Sequence, residues 1–350
     1  MLAFLKLTRP LNLLIIALTM AAMRYGVVGA FLDLHTALLR SKAIEPDGTV
    51  FAAIPHNVFR HGFSELDFWL LVLSTVLIAA GGNVINDYFD TRIDRVNKPE
   101  EVIVGRTVKR RVAMVGHLAL SAAGLLAGLF VAWHSGQLRW VMIPLFAIAS
   151  LWLYSTTLKR AFLVGNLVIA LLTALVPLTV GLYEVPALDF IYPKGMKATT
   201  TDGQVMQALF DFNHPWYAIL LFAFFAFLTT LVRELQKDMA DVPGDRRNGR
   251  RTIPIVLGMK WAKGIVLAQL AAALLGVLFV RFTLLHDPLS YWYIGFLVIG
   301  PLLLSGGFTF IAASRKEFVT ADHLMKVGMA TAVLYAFLLR FTIWDPARLL

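Results

Sequence analysis

The feature that most constrains this chain is a series of apolar blocks, each about 20 residues long, which is the length a helix needs to cross a bilayer. The chain is 58% hydrophobic and 15% charged, whereas soluble domains carry about a quarter charged residues. We therefore predict an all-α membrane protein with a single bundle of nine transmembrane helices, and we treat residues 1–350 as one domain. The predicted spans lie at about residues 10–31, 67–87, 112–134, 139–157, 162–184, 216–236, 260–282, 290–313 and 323–343.

The basic residues indicate how the bundle is oriented. Lys and Arg concentrate in the loops that lie inside when the N-terminus is cytoplasmic and the C-terminus is outside. Two outer loops, about 32–66 and 185–215, are long, and residues 198–203 of the second are typical of a flexible tip. The first span could instead be a secretory signal, but Arg24 and the lack of a small-residue cleavage site argue against that interpretation.

Composition also excludes several kinds of chemistry. The chain contains no cysteine, so disulfides, thiolate metal sites and cysteine nucleophiles are excluded. The net charge of +10 could suggest nucleic acid. In a membrane chain the distribution of charge matters more than its total, so we expect membrane lipids and no nucleic acid as partners.

The second span ends in a first group of polar residues. Asn86, Asp90 and Asp94 are each four residues apart, so a continuing helix places them on one face. Asp87 lies beside that face.

The sixth span ends in a second group of acids. Asp238, Asp241 and Asp245 follow one another at spacings of three and four. Pro243 and Gly244 disfavour a straight helix, so we expect Asp245 to lie on a turn.

Both spans are even-numbered, so both acidic groups emerge on the same side of the membrane and can face one cavity. Six carboxylates at one end of a bundle would repel one another unless cations neutralised them. Hard oxygen ligands of this kind suit Mg²⁺, which prefers to share its shell with substrate phosphates. Basic residues at the same rim favour a multiply charged oxyanion such as a diphosphate: Arg92, Arg95, Lys159, Arg233 and Lys237.

Other polar residues have simpler interpretations. Taken alone, Lys159 and Arg160 are more typical of topology signals than of ligands. Arg24 lies inside the first span, where it could snorkel or form an ion pair, and ionisable residues at such depth are functional candidates. His117 and Asn166 are interpreted as packing residues.

The two acidic groups resemble the motifs of the UbiA superfamily of intramembrane prenyltransferases. The family's NxxxDxxxD motif matches Asn86, Asp90 and Asp94, and its DxxxD motif matches Asp241 and Asp245. Asp87 and Asp238 are additional acids, and the Arg9-Pro10 pair and the Leu-Tyr-Ser-x-x-Leu-Lys run at 153–159 are also similar to the family. The resemblance covers essentially the whole chain.

The resemblance implies Mg²⁺-dependent transfer of a prenyl group from an allylic prenyl diphosphate to a lipophilic acceptor in the membrane. It implies two Mg²⁺ ions that bridge the diphosphate, held by Asn86, Asp87, Asp90, Asp94, Asp238, Asp241 and Asp245. It assigns catalytic roles to Asp90, Asp94, Asp241, Asp245 and Asp238, the last as the acceptor of the released proton. The substrate-binding residues would be Asn86, Asp87, Arg92, Lys159, Arg233, Lys237 and Arg9.

The acceptor is less constrained. The motifs are most similar to the branch that transfers geranylgeranyl to geranylgeranylglyceryl phosphate, although the Glu-Glu-Val-Ile-Val-Gly run at 100–105 departs from that branch. The alternative acceptor is an aromatic quinone precursor of the 4-hydroxybenzoate or dihydroxynaphthoate type. The expected location is a bacterial or archaeal cytoplasmic membrane, with the active site open to the cytoplasm.

Two rival functions belong to other classes. A cation-coupled transporter also carries carboxylates in a bundle, but near the membrane midplane at broken helices. A lipid-scaffolding protein would explain the apolar spans but not the paired acidic groups.

Overall fold

The computed structural model describes residues 2–42, 59–192, 197–199, 205–207 and 213–342, and this part of the chain is almost entirely helical. The first helices are α1 (Leu2–Leu7), α2 (Pro10–Ala21), a π-helical segment (Ala22–Val28), α3 (Gly29–Lys42), α4 (Glu65–Asn97), α5 (Arg110–His134), α6 (Met142–Thr156) and α7 (Val164–Ile191). After two short antiparallel strands, β1 (Lys197–Thr199) and β2 (Val205–Gln207), the chain forms α8 (Asn213–Arg247), α9 (Ile253–Val256), α10 (Met259–Thr283), α11 (Pro288–Tyr293), a second π-helical segment (Ile294–Ile299), α12 (Gly300–Ile311) and α13 (Arg315–Thr342). Short 3₁₀ turns cover Pro99–Glu101, Leu138–Val141 and Leu158–Arg160.

Within the described residues, nine helical segments are long and apolar enough to cross a membrane, which confirms the predicted number of spans and the membrane class. They are Pro10–Ala37, Glu65–Asn97, Arg110–His134, Leu138–Thr156, Val164–Ile191, Asn213–Arg247, Met259–Thr283, Pro288–Ile311 and Arg315–Thr342. The second and sixth spans continue as helix about ten residues beyond the predicted apolar stretch. Both acidic groups are therefore helical.

The two long loops differ in part from their prediction. The first begins as helix, since α3 extends to Lys42, and its residues 43–58 lie outside the described part of the chain. In the second, α7 continues through Ile191, and the first two residues of the predicted flexible tip belong to β1. Residues 200–203 of that tip lie outside the described residues.

Helix α4 is the element that carries the first acidic group, and local signals determine where it begins. The Ser64 hydroxyl caps its first turn by accepting a hydrogen bond from the Asp67 backbone N–H at 3.1 Å. Glu65 and Asp67 complement the positive end of the helix dipole. Asp67 also lies 2.9 Å from Nδ1 of His134, at the end of α5.

Small residues set the distance between α4 and α5, which pack along much of their length. A Cβ added at Gly124 of α5 would lie 2.9 Å from the Ser74 carbonyl oxygen and 2.7 Å from Ile78, both on α4. The missing side chain lets the backbones approach, as is common between membrane helices. The α4–α5 pair thereby forms a close-packed base from which the acidic end of α4 extends.

Arg24 is paired inside the bundle, on the π-helical segment. It is 1% exposed, and its guanidinium donates to Glu184 Oε2 at 3.1 Å and to the Phe63 carbonyl oxygen at 2.5 Å. Glu184, on α7, also accepts a hydrogen bond from the Gly62 backbone N–H. This cluster contacts the first turn of α4 through Glu65, so it lies at the opposite end of that helix from Asp94 and links the first and fifth spans.

Candidate active site

The ends of α4 and α8 meet, so the two acidic groups lie at the same end of the bundle, as the parity of the spans predicted. Asn97 is the last residue of α4, and its side chain connects α4 to α8. Its Nδ2 donates to the Asp241 carbonyl oxygen at 3.1 Å, and its Oδ1 accepts from the Gly244 backbone N–H at 2.8 Å. One amide thus holds the two helices in register.

The expectation that Asp245 lies on a turn is wrong, because α8 continues through Pro243 to Arg247. A proline inside a helix removes one backbone donor and disturbs the preceding turn. Here the Asn97 amide binds the Asp241 carbonyl oxygen and the Gly244 N–H, on either side of the proline, and so supports the helix at this point. Asp245 therefore remains helical and is buried, with 1% of its surface exposed.

Asp90 is the centre of the ion-pair network. Lys159 Nζ donates to Asp90 Oδ1 at 2.7 Å and lies 3.3 Å from Asn86 Oδ1. The Arg250 guanidinium also donates to Asp90, and through its other nitrogen it donates to Asp245 Oδ1 at 3.0 Å. A single guanidinium therefore joins the first acidic group to the second.

Two loops position these cations. Lys159 lies in the 3₁₀ turn that follows α6, and Arg250 lies just after α8. The Arg251 backbone N–H donates to the Arg160 carbonyl oxygen at 3.1 Å, which ties the two loops together. Gly249 adopts a left-handed conformation with φ of 69°, which glycine accommodates without strain and which returns the chain toward the site.

The electrostatics of the two cations differ. Burial lowers the pKa of the Lys159 ammonium, and Asp90 beside it only partly offsets that effect, so the pKa lies below the ordinary lysine value. Burial acts in the same direction on Arg250, but Asp90 and Asp245 outweigh it and raise the pKa of that guanidinium. Arg250 therefore holds its proton more tightly than a free arginine, whereas Lys159 holds its proton less tightly than a free lysine.

The outer members of the first acidic group have separate partners. Arg9 donates to Asp87 Oδ1 at 2.6 Å. Burial acts to lower the pKa of Arg9, but Asp87 outweighs it and raises the pKa of the guanidinium. Asp94 lies 3.5 Å from Nζ of Lys98, one turn further along.

In the second group, Asp238 accepts a hydrogen bond from Asn166 Nδ2 at 2.8 Å. Asn166 therefore contacts the second acidic group, in addition to the packing role expected from the sequence. Asp241 Oδ1 lies 3.6 Å from Arg315 Nε and is buried without a hydrogen-bond partner in the described part of the chain. The interpretation of His117 as a packing residue agrees with its burial and its contact with the Gly81 carbonyl oxygen.

Three residues expected to bind substrate lie apart from the Asp90 network. Arg92 is exposed and makes no ion pair among the described residues. Arg233 donates to Asp322 Oδ1 of α13 at 2.9 Å. Lys237 donates to Glu234 Oε1 at 2.5 Å.

The chemistry of the donor set fits Mg²⁺, since it consists of carboxylate and amide oxygens with one buried carboxylate oxygen left without a hydrogen bond. As the described side chains stand, no three His, Asp or Glu residues are arranged around one point in the manner of a metal site. Lysine and arginine side chains hold the carboxylates instead. Metal ligation at this site requires some of these ion pairs to open.

Sequence reasoning missed Asn97, Asn166 and Arg250. Arg250 is one of several arginines after the sixth span, and nothing in the sequence distinguishes it from its neighbours. For Asn166, the available signal was an amide near the start of an otherwise apolar span. For Asn97, it was an amide directly before the Lys98-Pro99 end of the first acidic helix.

The fold and site define an integral membrane protein with an acidic, cation-bridged site at one end of a helical bundle. Residues 57–321 match the model of the UbiA prenyltransferase family. The chain belongs to this family and is a prenyltransferase, as the resemblance predicted.

Named relatives support the assignment along most of the chain. It is 30% identical over 294 residues to the digeranylgeranylglyceryl phosphate synthase of Methanothermobacter thermautotrophicus, covering 82% of this chain and 90% of the relative. It is 28% identical over 346 residues to the enzyme of the same name from Thermococcus kodakarensis, covering 96% and 97%. The fold is similar to that of a UbiA homologue from Archaeoglobus fulgidus solved with GPP and Mg²⁺, with a TM-score of 0.51 and 15% identity over 96% of this chain and 99% of that one.

Proposed function

We propose that this protein transfers a geranylgeranyl group from geranylgeranyl diphosphate to geranylgeranylglyceryl phosphate, with Mg²⁺ as the cofactor. The observation that carries the chemistry is the Arg250 guanidinium, which binds Asp90 of the first acidic group and Asp245 of the second. Because one guanidinium reaches both groups, this contact supports their joint action on one small anion. The acceptor is inferred from the names of the relatives, both of which are digeranylgeranylglyceryl phosphate synthases.

The acidic residues would hold the metal, and bound Mg²⁺ would neutralise the charge that develops on the departing diphosphate. Asn86, Asp87, Asp90 and Asp94 would provide ligands from α4, and Asp238, Asp241 and Asp245 would provide them from α8. In the reaction the allylic C–O bond of the donor breaks, and a C–O bond to the acceptor hydroxyl forms. Diphosphate and one proton are released.

The cations have roles of their own. Lys159 and Arg250 now neutralise Asp90. When metal replaces them at the carboxylate, both would be free to donate to the diphosphate oxygens, as Lys and Arg do at phosphoryl sites. Arg9, which holds Asp87, would act in the same way at the other side of the group.

Asp238 is the best-placed proton acceptor of the second group. Among the described residues its side-chain hydrogen bond is to a neutral amide, that of Asn166, rather than to a cation. A carboxylate paired with a neutral amide is more basic than one paired with Lys or Arg, so the oxygen of Asp238 that does not ligate metal is suited to take the hydroxyl proton.

We also propose that the N-terminus and the acidic end of the bundle face the cytoplasm. The excess of Lys and Arg in the corresponding loops supports this orientation. Treating residues 1–350 as one domain remains a prediction.

The proposed function is tested with purified protein, radiolabelled geranylgeranyl diphosphate, Mg²⁺ and three separate acceptors: geranylgeranylglyceryl phosphate, 4-hydroxybenzoate and a dihydroxynaphthoate. We expect a labelled product with the glyceryl phosphate only, and none when EDTA is present. A product with an aromatic acceptor instead would refute the acceptor. Mg²⁺-independent uptake of a substrate into vesicles, without any product, would favour a transporter.

A further inference from the structure

Three basic residues form a second cationic site between α8 and α13, which we call the α8–α13 basic cluster: Arg233, Lys237 and Lys326. Arg233 Nε donates to Asp322 Oδ1 at 2.9 Å, and Lys326 Nζ lies 3.3 Å from Asp322 Oδ2. Lys237 lies one turn beyond Arg233 on the same face of α8, and all three cations act electrostatically on Asp322. None of the three contacts the Asp90 network directly within the described residues.

The depth of this cluster makes a purely structural role costly. Arg233 and Lys326 lie inside the predicted spans 216–236 and 323–343, and Asp322 immediately precedes the second of these, within the apolar helical segment Arg315–Thr342. Charged side chains at such positions in membrane helices are expensive and commonly mark substrate sites. One ion pair would suffice to join two helices, whereas here three cations face two carboxylates, Asp322 and Glu234. Within these ion pairs the cluster has one cation more than it has carboxylates, and Lys237 also acts electrostatically on Asp241 of the second acidic group.

The charged heads are accessible to a ligand. The side chain of Lys237 is 38% exposed and that of Lys326 is 27% exposed, whereas Arg233 and Asp322 are nearly buried. The Arg233–Asp322 pair is thus the buried part of the cluster, and the ammonium groups of Lys237 and Lys326 are its exposed part.

The cluster continues from the active site along the same two helices. Lys237 precedes Asp241 by one helical turn on α8, which separates their Cβ atoms by about 6 Å. Arg315, the first residue of α13, lies 3.6 Å from Asp241. A molecule that bridges the two regions would therefore have its anionic group on the cluster and its reacting atom near the second acidic group. A glyceryl phosphate has this form, because only a few bonds separate its phosphate from its free hydroxyl.

We propose that the α8–α13 basic cluster binds the phosphate group of the prenyl acceptor and thereby places the acceptor hydroxyl at the second acidic group. This inference rests on the proposed function. It reassigns Arg233 and Lys237 from the donor diphosphate to the acceptor. Lys and Arg are the usual ligands of phosphate monoesters, and the excess positive charge would be balanced by the ligand.

The test is steady-state kinetics of Lys326→Gln in neutral detergent without phospholipid. We expect the KM for geranylgeranylglyceryl phosphate to rise about tenfold or more, because a charge-assisted hydrogen bond is lost. The KM for geranylgeranyl diphosphate should stay within twofold of wild type. With geranylgeranylglycerol, which lacks the phosphate, wild type and variant should react at equal rates.

Two further variants separate phosphate binding from folding. Lys326→Arg keeps the charge and should restore the acceptor KM to within about threefold of wild type. Lys316→Gln removes the same charge from an exposed position of the same helix and should leave both KM values unchanged. A Lys326→Gln enzyme with an unchanged acceptor KM, or with an equal loss toward the phosphate-free acceptor, would overturn the inference.

The remaining comparisons distinguish an acceptor phosphate from a phospholipid headgroup, and they separate failure of this inference from failure of the proposed function. If the Lys326→Gln defect appears only when anionic phospholipid is added, the cluster binds membrane lipid and the inference is wrong. If wild type itself does not use the glyceryl phosphate, the proposed function fails and the inference fails with it. If wild type uses this acceptor and only the variant comparison is negative, the inference alone fails.

Discussion

The amide of Asn97 offers a sharp test of how the two acidic helices are held together. Asn97→Ala removes the hydrogen bonds to the Asp241 carbonyl oxygen and from the Gly244 N–H. A hydrogen bond contributes about 0.5–1.5 kcal/mol net, so the two together predict a loss of about 1–3 kcal/mol in the free energy of unfolding. The upper part of that range is favoured because a partly buried N–H beside Pro243 loses its acceptor.

The same substitution should also affect the metal site. Without the bridge, the last turns of α8 lose their fixed position relative to Asp90, and a displacement of about 1 Å in a catalytic group can reduce the rate about 100-fold. We expect the Mg²⁺ concentration that gives half-maximal activity to rise about tenfold or more, because the two sets of ligands no longer lie in register.

The assay is denaturant unfolding in detergent, followed by circular dichroism, combined with a Mg²⁺ titration of activity. Ser74→Ala is the matched control, since it removes one hydrogen bond of the same helix, to the Gly124 carbonyl oxygen, far from the acids. It should reduce stability by about 1 kcal/mol and leave the Mg²⁺ requirement unchanged. An Asn97→Ala protein with wild-type stability and a wild-type Mg²⁺ requirement would refute the reasoning.

Three further predictions concern single groups. Burial lowers the pKa of Lys159. In a pH–rate profile, kcat/KM for the donor should therefore fall at an alkaline pH below the ordinary lysine range. Lys159→Arg should move this alkaline fall to higher pH. Arg24→Met leaves the buried Glu184 without its arginine partner, with His61 still 3.2 Å from Oε1, and should destabilise by about 3 kcal/mol or more. Adding Glu184→Gln should recover part of the loss in the same unfolding assay, and no recovery would contradict the ion pair. Gly26→Ala would place a Cβ 2.5 Å from a backbone oxygen of α13 and should cost about 1–3 kcal/mol, whereas Gly264→Ala, which meets nothing within 4 Å, should not destabilise.

The nine spans and the placement of both acidic groups at one end could be predicted because they depend on local properties. Apolar block length determines where a helix can cross the bilayer, and the count of crossings determines the side on which each block ends. The spacing of Asn86, Asp90 and Asp94 needed only the periodicity of one helix. None of these inferences required knowledge of a tertiary contact.

Partners across helices could not be predicted in the same way. Arg233 and Lys237 lie on the same helix as Asp238 and Asp241, but Arg233 pairs with Asp322 of α13 and Lys237 pairs with Glu234, and the orientation of α8 in the bundle determines these pairings. That orientation depends on packing against several neighbours at once, which no single segment encodes. Arg250 is a similar case, because its role follows from the contact between the loops after α6 and α8.

The prediction that failed at Pro243 has a physical explanation of the same kind. Local rules for proline and glycine correctly indicate a weak point in the helix. They do not include a side chain about 150 positions earlier, that of Asn97, which binds backbone groups on either side of the proline. A local rule was overridden by a tertiary hydrogen bond.

The central claim, that both acidic groups act on one prenyl diphosphate through Mg²⁺, is tested most directly by the turnover of Asp90→Asn, Asp241→Asn and the double variant. At saturating Mg²⁺ we expect each single substitution to reduce geranylgeranyl transfer about 100- to 1,000-fold, as the loss of a group that stabilises developing charge does. Because the groups act as a unit, the double variant should be about as slow as the slower single variant. A single variant that retains Mg²⁺-dependent transfer within tenfold of wild type, or a double variant whose loss equals the product of the two, would contradict the account.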